Sequence, residues 1–483
     1  MIRLLAVLLC AACAAAQTLS PAVRAFVTVD APTIALTHVR VIDGTGALAR
    51  ENYTIVISQG KIQSVSDAAP PAGAKVLDLA GRTVIPGLVG MHDHLVYPGA
   101  LSPIHYTESD FSAPRLYLAN GVTTIRTTGA LDAYTDLSLK RDIDAGRMIG
   151  PHIVPTGPYL EGAGAYTPQM HELKDADDAR RTVVYWAAEG ANNYKAYMHI
   201  THAELAAAID EAHKLGMKLT GHLCSIGFHE AAALGIDDLE HGLVVDGELA
   251  PNKKPDQCPD QKDIRDKLLA TDINASEIQD IVRDLIAHKV AVTSTLPVFE
   301  TFVPNRPSMS LPAAGSAPPQ PSPYMKRVLD SMLTESRNDY LSRRAMIAGS
   351  KDNPWAVLLK KEMDFELAFA KADGLLLAGL DPTGYGGVVA GFGDHREVEL
   401  LVEAGFTPLE AIKIATLNGA QWLGVADRIG SIAQGKQADL VVIKGDPSKN
   451  IADIENVETV FKDGVGYDSQ KLIDSVRGTV GLH

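Results

Sequence analysis

Apolar and polar positions alternate in short runs across residues 33–85, at Ile34–Val41, Thr54–Ile57 and Val76–Leu79, with turns at Asp43-Gly44-Thr45-Gly46 and Gln59-Gly60-Lys61 between them. Period-two runs bounded by glycine turns predict strands. The same texture returns near the end, where Ile432, Gly435-Lys436, Ala438–Lys444 and Val457–Phe461 precede Asp463-Gly464. A small β domain assembled from residues 33–85 and 430–467 is the simplest arrangement. Over residues 86–429, strand-like apolar runs alternate with helical periodicity, which predicts a parallel α/β architecture. One helix is marked by a Thr201/Glu204 capping box ahead of an apolar face of Leu205, Ala208, Ile209, Ala212 and Leu215. Another starts at Thr407-Pro408-Leu409-Glu410, with proline at its first position. Such helices separate candidate strand ends near His94, Arg126, Thr156, Lys195, His222, His241, Ser294 and Asp381. Eight βα units predict a (β/α)8 barrel with its chemistry at the carboxyl ends of the strands. Residues 304–323, rich in Pro, Ser and Ala, interrupt the pattern as a lid beside the seventh strand or as a solvated insertion.

Composition narrows the class of function. Apolar residues make up 46% of the 483 positions and charged residues 21%, which fits a folded globular chain. A net charge of −15 argues against nucleic acid as a partner, which calls for a basic footprint. The one long apolar run, Leu4–Ala16 after Arg3, is too short to span a bilayer and reads as a secretory signal over residues 1–16. An exported chain, periplasmic or secreted and beginning near Gln17, is expected, without a transmembrane segment. Cys13 raises the question of a lipid anchor, but Cys10 stands where a lipobox usually carries leucine, so anchoring is the less favoured form. Cleavage leaves Cys224 and Cys258, which can pair in an oxidising compartment or remain separate thiols.

The strongest chemical signal is His92-Asp93-His94 after the apolar run Val84–Val89. Residues two apart on a strand face the same side, so both imidazoles can reach one metal ion. Alone the pair is weak. Its position is what matters, because Lys195, His222, His241 and Asp381 fall at later strand ends. Arg126, His152, Tyr159, Tyr166, Tyr197 and His199 lie at or just beyond strand ends and are candidates for holding a substrate carboxylate or carbonyl. Glu240, next to His241, is expected to face away from the site because neighbours in a strand alternate.

With Val84-Ile85-Pro86-Gly87-Leu88 leading into the His pair, Gly121-Val122-Thr123-Thr124-Ile125-Arg126, Leu239-Glu240-His241-Gly242 and Gly435-Lys436-Gln437-Ala438-Asp439-Leu440, the chain resembles the amidohydrolase superfamily. Within it, the resemblance is to the imidazolonepropionase-like branch that includes metallo-dipeptidases and ochratoxin-hydrolysing enzymes. It implies a distorted (β/α)8 barrel with a composite β-sandwich, and two divalent metal ions. His92, His94 and Asp381 would hold the more buried ion, and His222 and His241 the more exposed one. Lys195, carbamylated by CO2, would bridge them. Zinc is the first expectation, although these ligand types also suit manganese, cobalt or iron. The implied mechanism is attack by a bridging hydroxide on a polarised carbonyl, with Asp381 carrying the proton to the leaving nitrogen. The partner is then a small amide or peptide substrate, and the family often forms multimers, so a homo-oligomer is expected.

The branch's dipeptidases tend to have a His in the loop after the third strand and a Tyr three residues beyond the sixth-strand His. Here the loop reads Gly162-Ala163-Gly164-Ala165-Tyr166 and the latter position is Val244. The bond type therefore carries over to a peptide, an N-acyl amino acid or an ochratoxin-like amide, while the mode of carboxylate recognition does not. Hydrolysis of a cyclic amide, a lactone or another ester is the alternative on the same site. A non-catalytic, metal-stabilised envelope binding protein needs only structural ligands, and the presence of both Lys195 and Asp381 argues against it.

Overall fold

The computed structural model describes residues 18–101, 104–307, 309–310, 320–350 and 352–481. The expected signal segment lies outside the described residues. So does much of the 304–323 insertion, whose described parts include two short paired strands, Met309–Ser310 and Gln320–Pro321.

Both ends of the chain enter one nine-stranded sheet. Its order is Val27–Val29, Val465–Asp468, Val457–Lys462, Leu440–Lys444, Arg82–Pro86, Thr33–Val41, Arg50–Ser58 and Lys61–Ser66, with Lys75–Asp78 also paired to Thr33–Val41. The two ends meet where Leu440–Lys444 runs antiparallel to Arg82–Pro86, Leu440 opposite Pro86 and Lys444 opposite Arg82. Inward-facing Ile34, Leu36, Ile55, Ile57, Val84, Leu440 and Val442 form an apolar cluster of their own on this sheet. Where the resemblance implies a composite β-sandwich, the described residues form a single mixed sheet.

The sheet feeds directly into the metal-ligand strand. Gly87 separates Arg82–Pro86 from Leu88–Asp93, and its N–H donates to Asp439 O at 2.8 Å. Every residue of Leu88–Asp93 is buried, as expected for a parallel strand covered on both faces. Eight parallel strands follow the chain in two sheets. Leu88–Asp93, Val122–Thr127 and His152–Val154 form one, and Asn193–Ala196, Lys218–Gly221, Asp238–Glu240, Ala291–Ser294 and Leu376–Ala378 form the other. Isolated contacts span the two gaps: a bridge between Thr156 and Asn193, and the Asp381 N–H donating to His92 O at 2.9 Å. The second gap is narrow because Gly379 has no side chain, and a Cβ there would lie 2.3 Å from His92 Cβ.

The helices begin where the sequence marks them. His202–Lys214 starts at the Thr201/Glu204 capping box and buries Leu205, Ala208, Ile209 and Ala212. Pro408–Lys413 has the reciprocal Thr407/Glu410 box. A disulfide joins Cys224, just beyond the strand Lys218–Gly221, to Cys258, with Cα atoms 4.8 Å apart. Among the described residues, no helix is long and apolar enough to cross a membrane.

Candidate metal centre

His92, His94, Lys195, His222, His241 and Asp381 come from five strand ends and all line one cavity of about 500 Å³. His92, His241 and Asp381 each offer a ligand atom, and those atoms all lie within 4.8 Å of one another. Lys195 Nζ lies 3.0 Å from His92 Nε2, and His94 Nε2 lies 3.8 Å from Asp381 Oδ1. The His222 and His241 rings sit edge to face with centroids 4.5 Å apart.

Three of the imidazoles are oriented from behind. His92 Nδ1 meets Glu240 Oε2 at 2.7 Å, His94 Nδ1 meets Gly129 O at 3.2 Å, and His241 Nδ1 meets Thr295 Oγ1 at 2.7 Å. The carboxylate and the carbonyl only accept, so Nδ1 carries the proton in His92 and His94. The Thr295 hydroxyl can take the same part toward His241. Each Nε2 is then left with a lone pair facing the cavity, the arrangement by which protein metal sites fix the tautomer of a histidine ligand.

The electrostatics favour neutral donors. Burial, with the positive charge of Lys195 beside them, pushes His94 and His222 down to about 3, and His92 and His241 also fall well below the usual imidazole range. Burial lowers the Lys195 amine to about 8 and raises the Asp381 carboxyl to about 6, the latter opposed by the charge of Lys195. A cluster of buried neutral nitrogens with one carboxylate suits a divalent cation of the zinc class.

Tyr159, Tyr166 and Tyr197 line the cavity, as the sequence analysis expects. Three other substrate candidates are placed elsewhere. Arg126 is fully buried behind the site, where its guanidinium donates to Met91 O at 2.7 Å, Asp238 Oδ2 at 3.1 Å and Glu240 Oε1 at 2.8 Å. It sits at the end of its strand but turns inward, because two buried carboxylates draw it there. His152 is the first residue of its strand rather than the last and pairs with Asp439 and Asp463 at the opposite end. His199 instead binds Glu161, through its N–H at 2.7 Å and its ring at 3.3 Å. Glu240 stays out of the cavity lining, as alternation expects, and from there it reaches His92 Nδ1 from behind, while His241, with φ +70°, enters the cavity.

An aromatic wall of Tyr106, Phe299, Phe302, Trp355 and Tyr385, together with Glu108 and Thr295, completes the site without a marker in the sequence. These residues come from the short strand Ile104–Glu108, the five-residue helix Leu296–Glu300, the first position of the helix Trp355–Lys371 and loops, elements too short or irregular to carry a clear period. Only the placement of Thr295 directly after the strand Ala291–Ser294 is a usable cue.

Residues 385–466 match the model of the amidohydrolase family. A dihydroorotase of Pelobacter propionicus is 31% identical over 189 residues, which cover 36% of this chain and 43% of that relative, so the chain spans less than half of it in this match. A dihydroorotase of Pelotomaculum thermopropionicum is 23% identical over 83% of this chain and 86% of its own length. Among solved structures, a Xaa-Pro dipeptidase with bound methionine superposes with a TM-score of 0.65 at 20% identity, over 90% of this chain and 100% of that one. The ochratoxinase of A. niger does so with a TM-score of 0.59 at 17% identity, over 90% and 95%. The family match over residues 385–466, the relatives and the solved structures of similar fold all point to the amidohydrolase superfamily.

Proposed function

We propose that this chain is an exported, binuclear metal-dependent hydrolase that cleaves an amide bond in a peptide, an N-acyl amino acid or a related small molecule. In this reading the two parallel sheets work as one distorted (β/α)8 barrel, and the nine-stranded sheet is its composite β-sandwich. The carrying observation is the set of imidazoles whose Nδ1 atoms are held from behind, which leaves their Nε2 atoms facing Asp381 and Lys195 on the cavity floor. His92, His94 and Asp381 would hold one ion, and His222 and His241 the other. Divalent ions bound there acidify water and polarise a carbonyl oxygen.

The remaining chemistry belongs to the chain. Asp381, raised to about 6 by burial, can take a proton from the attacking water and pass it to the departing nitrogen. The Lys195 amine, lowered to about 8 by burial, is neutral in a larger fraction near neutral pH than an exposed lysine, and the neutral amine is the form that reacts with CO2. A carbamate on Lys195 would bring both ions within reach of one side chain. The aromatic wall of Phe299, Phe302, Trp355, Tyr159 and Tyr197 excludes water and offers flat apolar surface to an acyl or aryl group.

The deciding experiment is a panel of dipeptides, N-acyl amino acids, lactams and aryl esters given to purified, metal-loaded protein. Turnover of the linear amides, with preference for an apolar or aromatic acyl portion, is expected. Activity confined to lactams or aryl esters overturns the amide reading. Export is tested by the mass of the native chain, which should begin near Gln17.

A further inference from the structure

A second cluster of ligand-type groups lies away from the cavity. His152 opens the strand His152–Val154, Asp439 directly precedes the strand Leu440–Lys444, and Asp463 follows the strand Val457–Lys462. His152 Nε2 stands 3.3 Å from Asp463 Oδ2 and 3.7 Å from Asp439 Oδ2, and one ligand atom from each residue falls within 4.8 Å of the others. The Asp439 side chain is 3% exposed, and its Oδ2 has no hydrogen-bond partner. An unpartnered carboxylate oxygen at that depth is costly unless something positive meets it.

The other carboxylate oxygens are already fixed. Asp439 Oδ1 accepts the Asp463 N–H at 2.8 Å, and Asp463 Oδ1 accepts from Gln437 Nε2 at 2.9 Å. Both carboxylates are thus braced by their outer oxygens, with the inner oxygens turned to one imidazole nitrogen. Asp463 and His152 keep 39% and 28% side-chain exposure, which leaves an approach for an ion and room for water to complete its coordination.

We propose that His152, Asp439 and Asp463 form a further site for a divalent cation of the zinc class, separate from the centre in the cavity. It would pin the parallel strand His152–Val154 to the sheet made from both chain ends, a structural rather than a catalytic role. The buried Lys462 amine also lies in the field of both carboxylates, which raise its pKa against the lowering by burial. An ion pair to a protonated His152 is the competing arrangement. It accounts for the 3.3 Å approach but leaves Asp439 Oδ2 at 3.7 Å without a hydrogen bond. The proposal stands apart from the function of the cavity.

The test loads the full chain with zinc, removes the excess by desalting and counts ions by elemental analysis. Wild type should hold one more ion per chain than His152→Gln or Asp463→Asn, and equal contents in a folded variant overturn the site. A readout on the wild type alone guards against variants that fail to fold. The rate at which diethyl pyrocarbonate modifies His152, followed on its peptide by mass spectrometry, should fall severalfold when zinc is added. A rate unchanged by zinc assigns the cluster to the ion pair and overturns the proposal.

Discussion

Glu240 Oε2 lies 2.7 Å from Nδ1 of His92, and the other oxygen of the same carboxylate accepts from Arg126 at 2.8 Å. One buried acid therefore orients a metal-ligand candidate and neutralises a buried cation. Replacing it with the isosteric amide keeps an acceptor for His92 but removes the charge. Glu240→Gln should lower metal affinity by about 10–100-fold while the chain still folds. Equilibrium dialysis against a competing chelator measures this, and unchanged affinity would show that the hydrogen bond does not tune His92.

Arg126 carries the opposite expectation. It faces Asp238 and Glu240 with all three side chains excluded from solvent, so removing it leaves two acids without a counter-charge. Arg126→Met should destabilise the fold by about 3–5 kcal/mol, the usual cost of breaking a buried ion pair. Denaturant unfolding decides it. A change confined to KM, with stability intact, would return Arg126 to the role of substrate contact.

If the cavity centre is binuclear as proposed, Lys195→Ala should remove its bridge and leave about one ion per chain there in place of two, with hydrolysis lost. Small carboxylates added to the variant should restore part of the activity. Full activity without them would count against carbamylation.

The wall opposite the metal-ligand candidates is aromatic. Trp355 stacks on Phe299 at 5.9 Å and tilts over Phe302 at 4.7 Å, and all three line the cavity. Trp355→Ala should raise KM for substrates with an aromatic acyl group much more than for those with an acetyl group, and leave kcat nearly unchanged. Equal effects on both classes would remove the wall from substrate selection.

Glu108 also lines the cavity. Burial, together with the nearby Asp136, Asp132 and Asp110, pushes its carboxyl up to about 8. The folded chain keeps a proton there that the unfolded chain releases above its ordinary value of 4.5. Stability from this group is therefore complete at low pH and lost as pH rises from the ordinary value toward the folded one. Glu108→Gln should flatten that decline. Denaturant midpoints of both proteins measured across this window test it, and parallel profiles would refute it.

Much of this was legible before any coordinates. His92, His94, Lys195, His222, His241 and Asp381 sit at strand ends marked by apolar runs and glycines, and strand periodicity is a strong local signal. Arg126, His152 and His199 show where that signal stops. Each is a polar residue in or near a strand, but its direction is set by a distant acid, Glu240, Asp463 or Glu161, that no local pattern reveals. The pairing of Cys224 with Cys258 was open for the same reason, since two thiols 34 residues apart acquire a separation only when the chain folds. The aromatic wall is not legible because its residues are scattered over short strands, helix ends and loops, where too few positions follow one another to show a period.

The hydrogen bond from Asp381 N–H to His92 O joins the last strand end to the first. It also sets an order of events during biosynthesis. His92 emerges from the ribosome long before Asp381, and the sheet around Arg82–Pro86 waits for residues 440–444. Contacts of such long range make folding slow, because the loop between the partners must close before their pairing is rewarded. The nascent chain can display histidines early, but it cannot enclose an ion between them and Asp381 until most of its length is made. Metal capture is thereby deferred to a nearly finished protein; if the chain is exported as proposed, the metal supply of the compartment of arrival would decide what the site receives.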